Sequence, residues 1–139
     1  MQAKALQSTA DLVMFDLEDS VALSEKEAAR QQVITTLKGL PEHHPRLAMR
    51  CNGLENAWFY RDVIEILEAS MDQVSVLVIP KVENAGDVAC FSRLLDGIER
   101  HTKAQQTIRL HACIESPAGL VQSEAIAATS SRLEALVFG

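Results

Sequence analysis

Residues 11–21 read DLVMFDLEDSV, an apolar run that ends in three carboxylates. The apolar part, residues 12–15, is typical of a buried parallel strand, because such a strand is covered on both faces. The acids Asp16, Glu18 and Asp19 follow directly after it. Since α/β proteins build their active sites at the carboxyl ends of parallel strands, this stretch predicts both a strand and a site.

Four further strands are predicted downstream, and three of them repeat this arrangement. Further strands are predicted at about residues 46–51, 74–79, 107–114 and 133–138, separated by amphipathic stretches that predict helices. Polar residues lie at or after three of these strand ends: Arg50, Asn52, Lys81, Glu83 and Glu115. The repeat of roughly 24–34 residues is typical of βα units. It fits two α/β architectures, an open doubly wound sheet and a stretch of a (β/α)8 barrel.

Three helix starts carry capping signals. Ser24 and Glu27 have the spacing of a capping box, and Asn84 is a good N-cap residue. Ser116 followed by Pro117 predicts an N-cap with proline in the first helical position. These signals place a helix after each of the first, third and fourth strands.

Composition and charge narrow the class of protein. The net charge is −6 and no basic cluster is present, which argues against nucleic-acid binding. No stretch is apolar enough for a transmembrane helix, and the N-terminus lacks signal-peptide features, so we expect a cytoplasmic protein. The three cysteines show no CxxC spacing, which argues against structural zinc. No glycine-rich phosphate-binding motif follows a strand.

Five segments occur in an order that resembles a known family. The chain is similar to the citrate lyase β-subunit-like branch of the HpcH/HpaI aldolase family in residues 11–21, 50–53 (RCNG), 78–83 (VIPKVE), 114–119 (IESPAG) and 136–139 (LVFG). The resemblance implies a TIM barrel that makes or breaks a carbon–carbon bond with Mg²⁺. The substrate would be an acyl-CoA of the citryl-CoA or malyl-CoA type, or a 2-oxo acid.

The resemblance also implies roles for individual residues. Arg50 matches an arginine that binds the substrate, and a guanidinium suits that task because it grips a carboxylate with two N–H groups. Glu115 matches a catalytic glutamate that binds Mg²⁺ and contacts the substrate. Lys4 matches a basic position near the CoA-bearing substrate, and Asp19 is predicted to contact substrate as well. A second metal ligand is expected just after Gly139.

By this alignment the 139 residues form a single partial TIM-barrel domain, an incomplete barrel with about strands two to six of eight. We predict a Mg²⁺-dependent lyase or aldolase that forms homo-oligomers. One alternative is a truncated, non-catalytic remnant that serves as a binding module, and another is a small enzyme with an open α/β sheet. Lys81 and Glu83 are expected either to support the site or to pair with each other. His111 is expected to be structural.

Overall fold

The computed structural model describes residues 5–139, which form a five-stranded sheet and its covering helices. The strands are β1 (Leu12–Asp16), β2 (Arg46–Arg50), β3 (Val76–Ile79), β4 (Arg109–Ile114) and β5 (Leu133–Phe138). The helices are α1 (Lys26–Lys38), α2 (Phe59–Ser70), α3 (Ala85–Thr102), α4 (Pro117–Val121) and α5 (Ser123–Ala127). Short 3₁₀ turns, Leu23–Glu25 and Met71–Gln73, precede α1 and follow α2.

The strand order decides between the two predicted architectures. All neighbouring strands are parallel, and their order across the sheet is β1-β2-β3-β4-β5, the same as along the chain. A doubly wound sheet reverses its order at a switch point, whereas a (β/α)8 barrel adds each strand beside the previous one. The open-sheet alternative is therefore wrong, and the sheet has the topology of a barrel segment.

The two faces of the sheet have different surroundings. One face packs against the helices and forms the main core, in which Phe91 and Leu95 of α3 meet strand residues such as Leu77. The second face carries a smaller buried cluster: Ala48, Val76, Val78 and Cys113. In a barrel this second face is the interior. We call it the inner face.

The inner face is strongly curved. Arg46 in β2 makes two hydrogen bonds to Glu134 in β5, at 3.1 and 2.9 Å. Three strand spacings of about 4.8 Å would separate these strands by roughly 14 Å in a flat sheet, where side chains stand perpendicular and could not meet. An irregularity in the β4–β5 register lies at this point. His111 Nε2 lies 3.2 Å from Oε2 of Glu134, so this histidine contacts the same glutamate as Arg46.

Two of the three helix-start predictions are confirmed. Asn84 accepts hydrogen bonds from two backbone amides of α3 and shares a full capping box with Asp87. Ser116 accepts from the amide of Gly119, with proline at the start of α4. The capping box predicted for Ser24 is wrong. A 3₁₀ turn occupies Leu23–Glu25, so α1 begins later, at Lys26, with no side-chain cap.

Both outer strands of the sheet have an open side within residues 5–139. β1 pairs only with β2, and β5 pairs only with β4. β5 also exposes apolar side chains, with Val137 43% and Phe138 60% accessible. Among these described residues, no helix has the length and apolarity needed to cross a membrane.

We predict that the 139-residue chain self-associates through these edges, because unpaired apolar strands recruit other chains. Sedimentation velocity over a range of concentrations measures this. Phe138→Lys should reduce association, whereas Tyr60→Lys, at an exposed apolar residue on α2, should not. A concentration-independent monomer whose β1 and β5 amides are both protected from exchange would contradict the prediction.

A close backbone contact fixes helix α4, which follows β4, against the loop after β3. A Cβ on Gly119 would meet the carbonyl oxygen of Val82, a contact that real Cβ atoms do not make. We expect Gly119→Ala to lower the free energy of unfolding by about 1–3 kcal/mol, the typical cost of overpacking in a confined site. Gly97→Ala is the matched control, because a Cβ there meets nothing within 4 Å and alanine favours helix by about 1 kcal/mol. Urea denaturation distinguishes the two, and a Gly119→Ala variant as stable as the wild type would refute the argument.

Candidate active site

The centre of the site is an ion pair between β1 and β2. Asp16 and Arg50 are paired in register as the last residues of their strands, so their side chains leave the same face at the carboxyl edge. Arg50 donates from Nε to Oδ1 of Asp16 at 2.8 Å and from Nη2 to Oδ2 at 2.7 Å. This two-point geometry is the strongest form of an arginine–carboxylate contact.

The pair is ionised throughout the neutral range. Partial burial acts to raise the pKa of Asp16, but the hydrogen bonds from Arg50 and from the amide of Glu18 outweigh it and lower this pKa to about 2. The same hydrogen bond raises the pKa of Arg50. The side chains remain 18% and 21% exposed, so the pair borders the solvent.

A second carboxylate, that of Glu18, lies between two cations, Arg50 and Lys81. Glu18 places Oε2 3.3 Å from Nη1 of Arg50 and Oε1 2.9 Å from Nζ of Lys81. The Glu18 side chain is only 6% exposed, whereas that of Lys81 is 47% exposed. Lys81 also lies 3.7 Å from Asp19, whose side chain is 69% exposed. Lys81 therefore pairs with the acids of the β1 loop and not with Glu83.

A buried lysine holds the loop that carries these acids. Lys26, at the start of α1, is 4% exposed and donates from Nζ to the carbonyl oxygens of Leu17 and Glu18 at 2.6 and 2.5 Å. An ammonium group is rarely buried unless it is fully bonded. The contact fixes the backbone on which Asp16 and Glu18 stand.

The loop after β2 is held in a similar way by a buried carboxylate on α2. Asp62 of α2 is fully buried and accepts hydrogen bonds from both the backbone amide and the side-chain amide of Asn52. Arg30 of α1, also buried, lies 3.4 Å from Asp62 and 2.9 Å from Glu65. Burial raises the pKa of Asp62, with the amide hydrogen bonds and Arg30 opposing it. These groups form a buried charged layer between α1, α2 and the loop after β2.

Glu115 lies at the same edge, after β4. Its side chain is exposed, and a Cβ on neighbouring Gly139 would be 3.9 Å from Glu115 Cγ. Cys113, two residues before Glu115 and on the inner face of β4, is buried. That burial and the nearby Glu115 carboxylate raise the pKa of Cys113 to about 11. The thiol therefore stays protonated at neutral pH and is not a ready nucleophile.

The donor set at this edge fits a partial shell for a hard cation. Mg²⁺ is commonly bound by one or two carboxylates, with water and substrate oxygens completing six ligands. Glu115 offers an exposed carboxylate, whereas Asp16 and Glu18 are already bound by cations. Within residues 5–139 no group of three or more potential ligands could hold a metal ion. Glu115 is thus the acid at this edge best placed to be a ligand.

A small cleft separates the loops after β1, β2 and β3. Its volume is about 290 Å³, and its lining includes Glu18, Asp19, Asn52, Glu55 and Lys81. The predicted site residues Arg50, Asp19 and Glu115 all lie at the carboxyl edge of the sheet. Lys4 lies outside the described residues.

Sequence reasoning missed the buried layer. Lys26 and Arg30 precede Val33 and Leu37 on α1 at spacings of four, three and four, which places both charges on the buried stripe. That spacing was a usable signal, because a cation on an apolar stripe needs a buried partner. Asp62 gave the same signal, because it lies three residues after Phe59 and four before Ile66 on the apolar stripe of α2.

Comparison with known proteins gives the family. The model of the HpcH/HpaI aldolase/citrate lyase family matches residues 1–139. The chain is 40% identical over 136 residues to the L-malyl-CoA/beta-methylmalyl-CoA lyase of Cereibacter sphaeroides, which covers 98% of the chain and 43% of that enzyme. It is 34% identical to the citrate lyase subunit beta of Leuconostoc mesenteroides subsp. cremoris, over 89% of the chain and 40% of that subunit. The chain thus spans less than half the length of these relatives.

The fold comparison agrees with the strand order. The malate synthase of Haloferax volcanii, in its lead(II) complex, superposes with a TM-score of 0.80 over 100% of the chain and 45% of its own length. The identity is 16%, so this likeness shows the fold alone. The family match covers the whole chain, and the two relatives compared by sequence are a lyase and a lyase subunit by name. The chain belongs to the HpcH/HpaI aldolase/citrate lyase family.

Proposed function

We propose that the protein containing this chain cleaves a carbon–carbon bond in a carboxylated acyl-CoA of the malyl-CoA or citryl-CoA type, with Mg²⁺ as its cofactor. The observation that carries the proposal is the position of two residues at the carboxyl edge of the sheet: Arg50 is the last residue of β2 and Glu115 follows β4 directly, in a chain that belongs to this family. The named relatives act on such thioesters or form part of citrate lyase. Cytoplasmic location and homo-oligomer formation are part of the same proposal.

Arg50 binds the substrate with the N–H groups that its partners leave free. Nε and one N–H of Nη2 are committed to Asp16, and Nη1 faces Glu18. A guanidinium has five N–H donors, so a second N–H on Nη2 and at least one on Nη1 remain. Those donors would bind the substrate's carboxylate or carbonyl oxygen and stabilise negative charge that develops there.

Glu115 would hold Mg²⁺ together with substrate oxygens. When bound, the metal polarises a carbonyl and stabilises enolate charge as a Lewis acid. Gly139 lies beside Glu115, so a carboxylate within a few residues of Gly139 would be close enough to act as a second ligand. Neither Arg50 nor Glu115 lines the cleft of about 290 Å³, so the acid part of a thioester bound by these residues would lie outside that cleft.

A binding module without catalysis is the second candidate. The observation that favours it is the lack of a three-ligand metal group within residues 5–139. The carboxylate-binding role of Arg50 is common to both candidates. Turnover and metal affinity separate them.

The first test compares variants of Arg50 in the full-length product of the encoding gene. We expect Arg50→Lys to lower kcat/KM for L-malyl-CoA nearly as much as Arg50→Ala, about 10²-fold or more, because lysine keeps the charge but loses the planar fork. Arg93→Lys is the control, since that side chain is 88% exposed and its ion pair is with Asp96 of the same helix. Cleavage is followed by chromatography of the CoA products. A lysine variant within about twofold of the wild type would make Arg50 a structural ion-pair residue.

The second test addresses the metal. We expect Glu115→Gln to weaken Mg²⁺ binding at least about tenfold, measured by calorimetry without substrate, because the amide lacks the charge a hard cation prefers. Glu124→Gln, at another exposed glutamate, should leave the affinity unchanged. Equal affinity in wild type and Glu115→Gln would remove Glu115 from the metal site. No detectable turnover by the wild type on malyl-CoA or citryl-CoA would favour the binding module.

A further inference from the structure

Lys81 has an unusual backbone conformation. Among residues 5–139, two non-glycine residues have positive φ: Lys81 at 52° and Lys103 at 55°. Lys103 ends α3, where the left-handed conformation is a common helix terminator. Lys81 follows β3 and ends no helix. A residue with a Cβ avoids this region unless its surroundings impose it, and such residues cluster at functional sites.

The surroundings that impose it are backbone contacts to the Glu115 loop. The amide of Val82 donates to the carbonyl oxygen of Cys113 at 2.9 Å. The carbonyl of Val82 packs against Gly119, where no Cβ would fit. The residue before Lys81 is Pro80, which has no N–H and a fixed φ. Lys81 is thus held between a proline and a clamped valine.

This conformation directs the ammonium group at Glu18. Lys81 Nζ lies 2.9 Å from Oε1 of Glu18, while Oε2 lies 3.3 Å from Arg50 Nη1. The Glu18 side chain is 6% exposed, so these two cations compensate a carboxylate that has little water. Each oxygen of Glu18 therefore faces a different cation.

We infer that Lys81 is a positioning residue: it holds one oxygen of Glu18 so that only the other faces Arg50, and so fixes which N–H groups Arg50 presents to a substrate carboxylate. The inference rests on the proposed role of Arg50 in binding. Without Lys81, both Glu18 oxygens turn to the one remaining cation. They then occupy the N–H groups of Nη1 and Nη2 that the Asp16 contact leaves free.

The chain offers a matched control for this inference. Lys103 has the same residue type and nearly the same φ but lies at the exposed end of α3, away from the site. Lys81→Gly and Lys103→Gly both accept positive φ, so any effect confined to Lys81→Gly arises from the lost ammonium. Lys81→Met and Lys103→Met remove the charge while keeping the length of the chain. Lys81→Arg keeps a cation in reach of Glu18.

Two measurements on the full-length protein test the inference. The first is the ¹⁵N–¹H signal of the Arg50 Nε–H group, identified by its loss in Arg50→Lys. The second is the dissociation constant of malonate, a stable dicarboxylate probe. We expect Lys81→Met and Lys81→Gly to shift the Arg50 signal and to weaken malonate binding about tenfold. Lys81→Arg should retain most of the affinity, and both Lys103 variants should match the wild type.

A double-mutant comparison separates positioning from direct contact. If Lys81 acts through Glu18, the Lys81→Met effect on malonate binding should disappear when Glu18→Gln is already present. If the full effect persists there, Lys81 binds the anion itself and the inference is overturned. An unmoved Arg50 signal in Lys81→Met, in a protein that still unfolds cooperatively, also overturns it.

Failure of the proposed function gives a different result. Wild-type protein that does not bind malonate, or binds it equally well as Arg50→Lys, would contradict the role of Arg50 in binding. The Arg50 signal still reports on the Lys81–Glu18–Arg50 geometry in that case. The two proposals therefore fail independently.

Discussion

The register between β1 and β2 is the constraint on which the site depends. Asp16 and Arg50 are directly paired as the last residues of two parallel strands, so the ion pair forms without any loop having to fold around it. Rigid strand ends are a precise base for a functional group. A shift of one residue would turn Arg50 into the helix-packed core, where its charge could not be solvated.

The loops beyond these strand ends owe their shape to buried charges on α1 and α2. Lys26 binds two carbonyl oxygens of the β1 loop, and Asp62 binds Asn52 in the β2 loop. Arg30 connects the two helices beneath them. Buried charges cost stability when they lose a partner, so each enforces one loop conformation. This layer explains how exposed loops can hold acidic residues at fixed distances from Arg50.

The charges around Arg50 are already compensated by neighbouring carboxylates, so an anion there would be bound by the remaining N–H donors and not by a net positive charge. Asp16 neutralises the guanidinium, while Glu18 is divided between Arg50 and Lys81. Glu115 stands apart from both cations as an exposed carboxylate. A site with free N–H donors on one side and a free carboxylate on the other suits a substrate that carries its own carboxylate and binds a divalent cation.

The sequence alone determined the elements and the edge at which the site forms. Apolar runs ending in Asp16, Arg50 and Glu115 predict strands with functional ends, because strand burial and strand termination are local properties of the chain. Helix starts were predictable where the cap is local, as at Asn84, and not where a 3₁₀ turn displaced it, as at Ser24. These features depend on residues a few positions apart.

Only the tertiary structure decided the strand order, the Asp16–Arg50 register and the hydrogen-bond partners of Lys26 and Asp62. Spacing along the chain is the same for an open sheet and a barrel, since both repeat βα units. Asp16 and Arg50 are 34 residues apart, and their contact requires two strands to align exactly in one of several possible registers. The physical reason is that the pairing of distant strands depends on how the whole helix layer packs against the sheet, and the sequence of a short segment does not determine that packing.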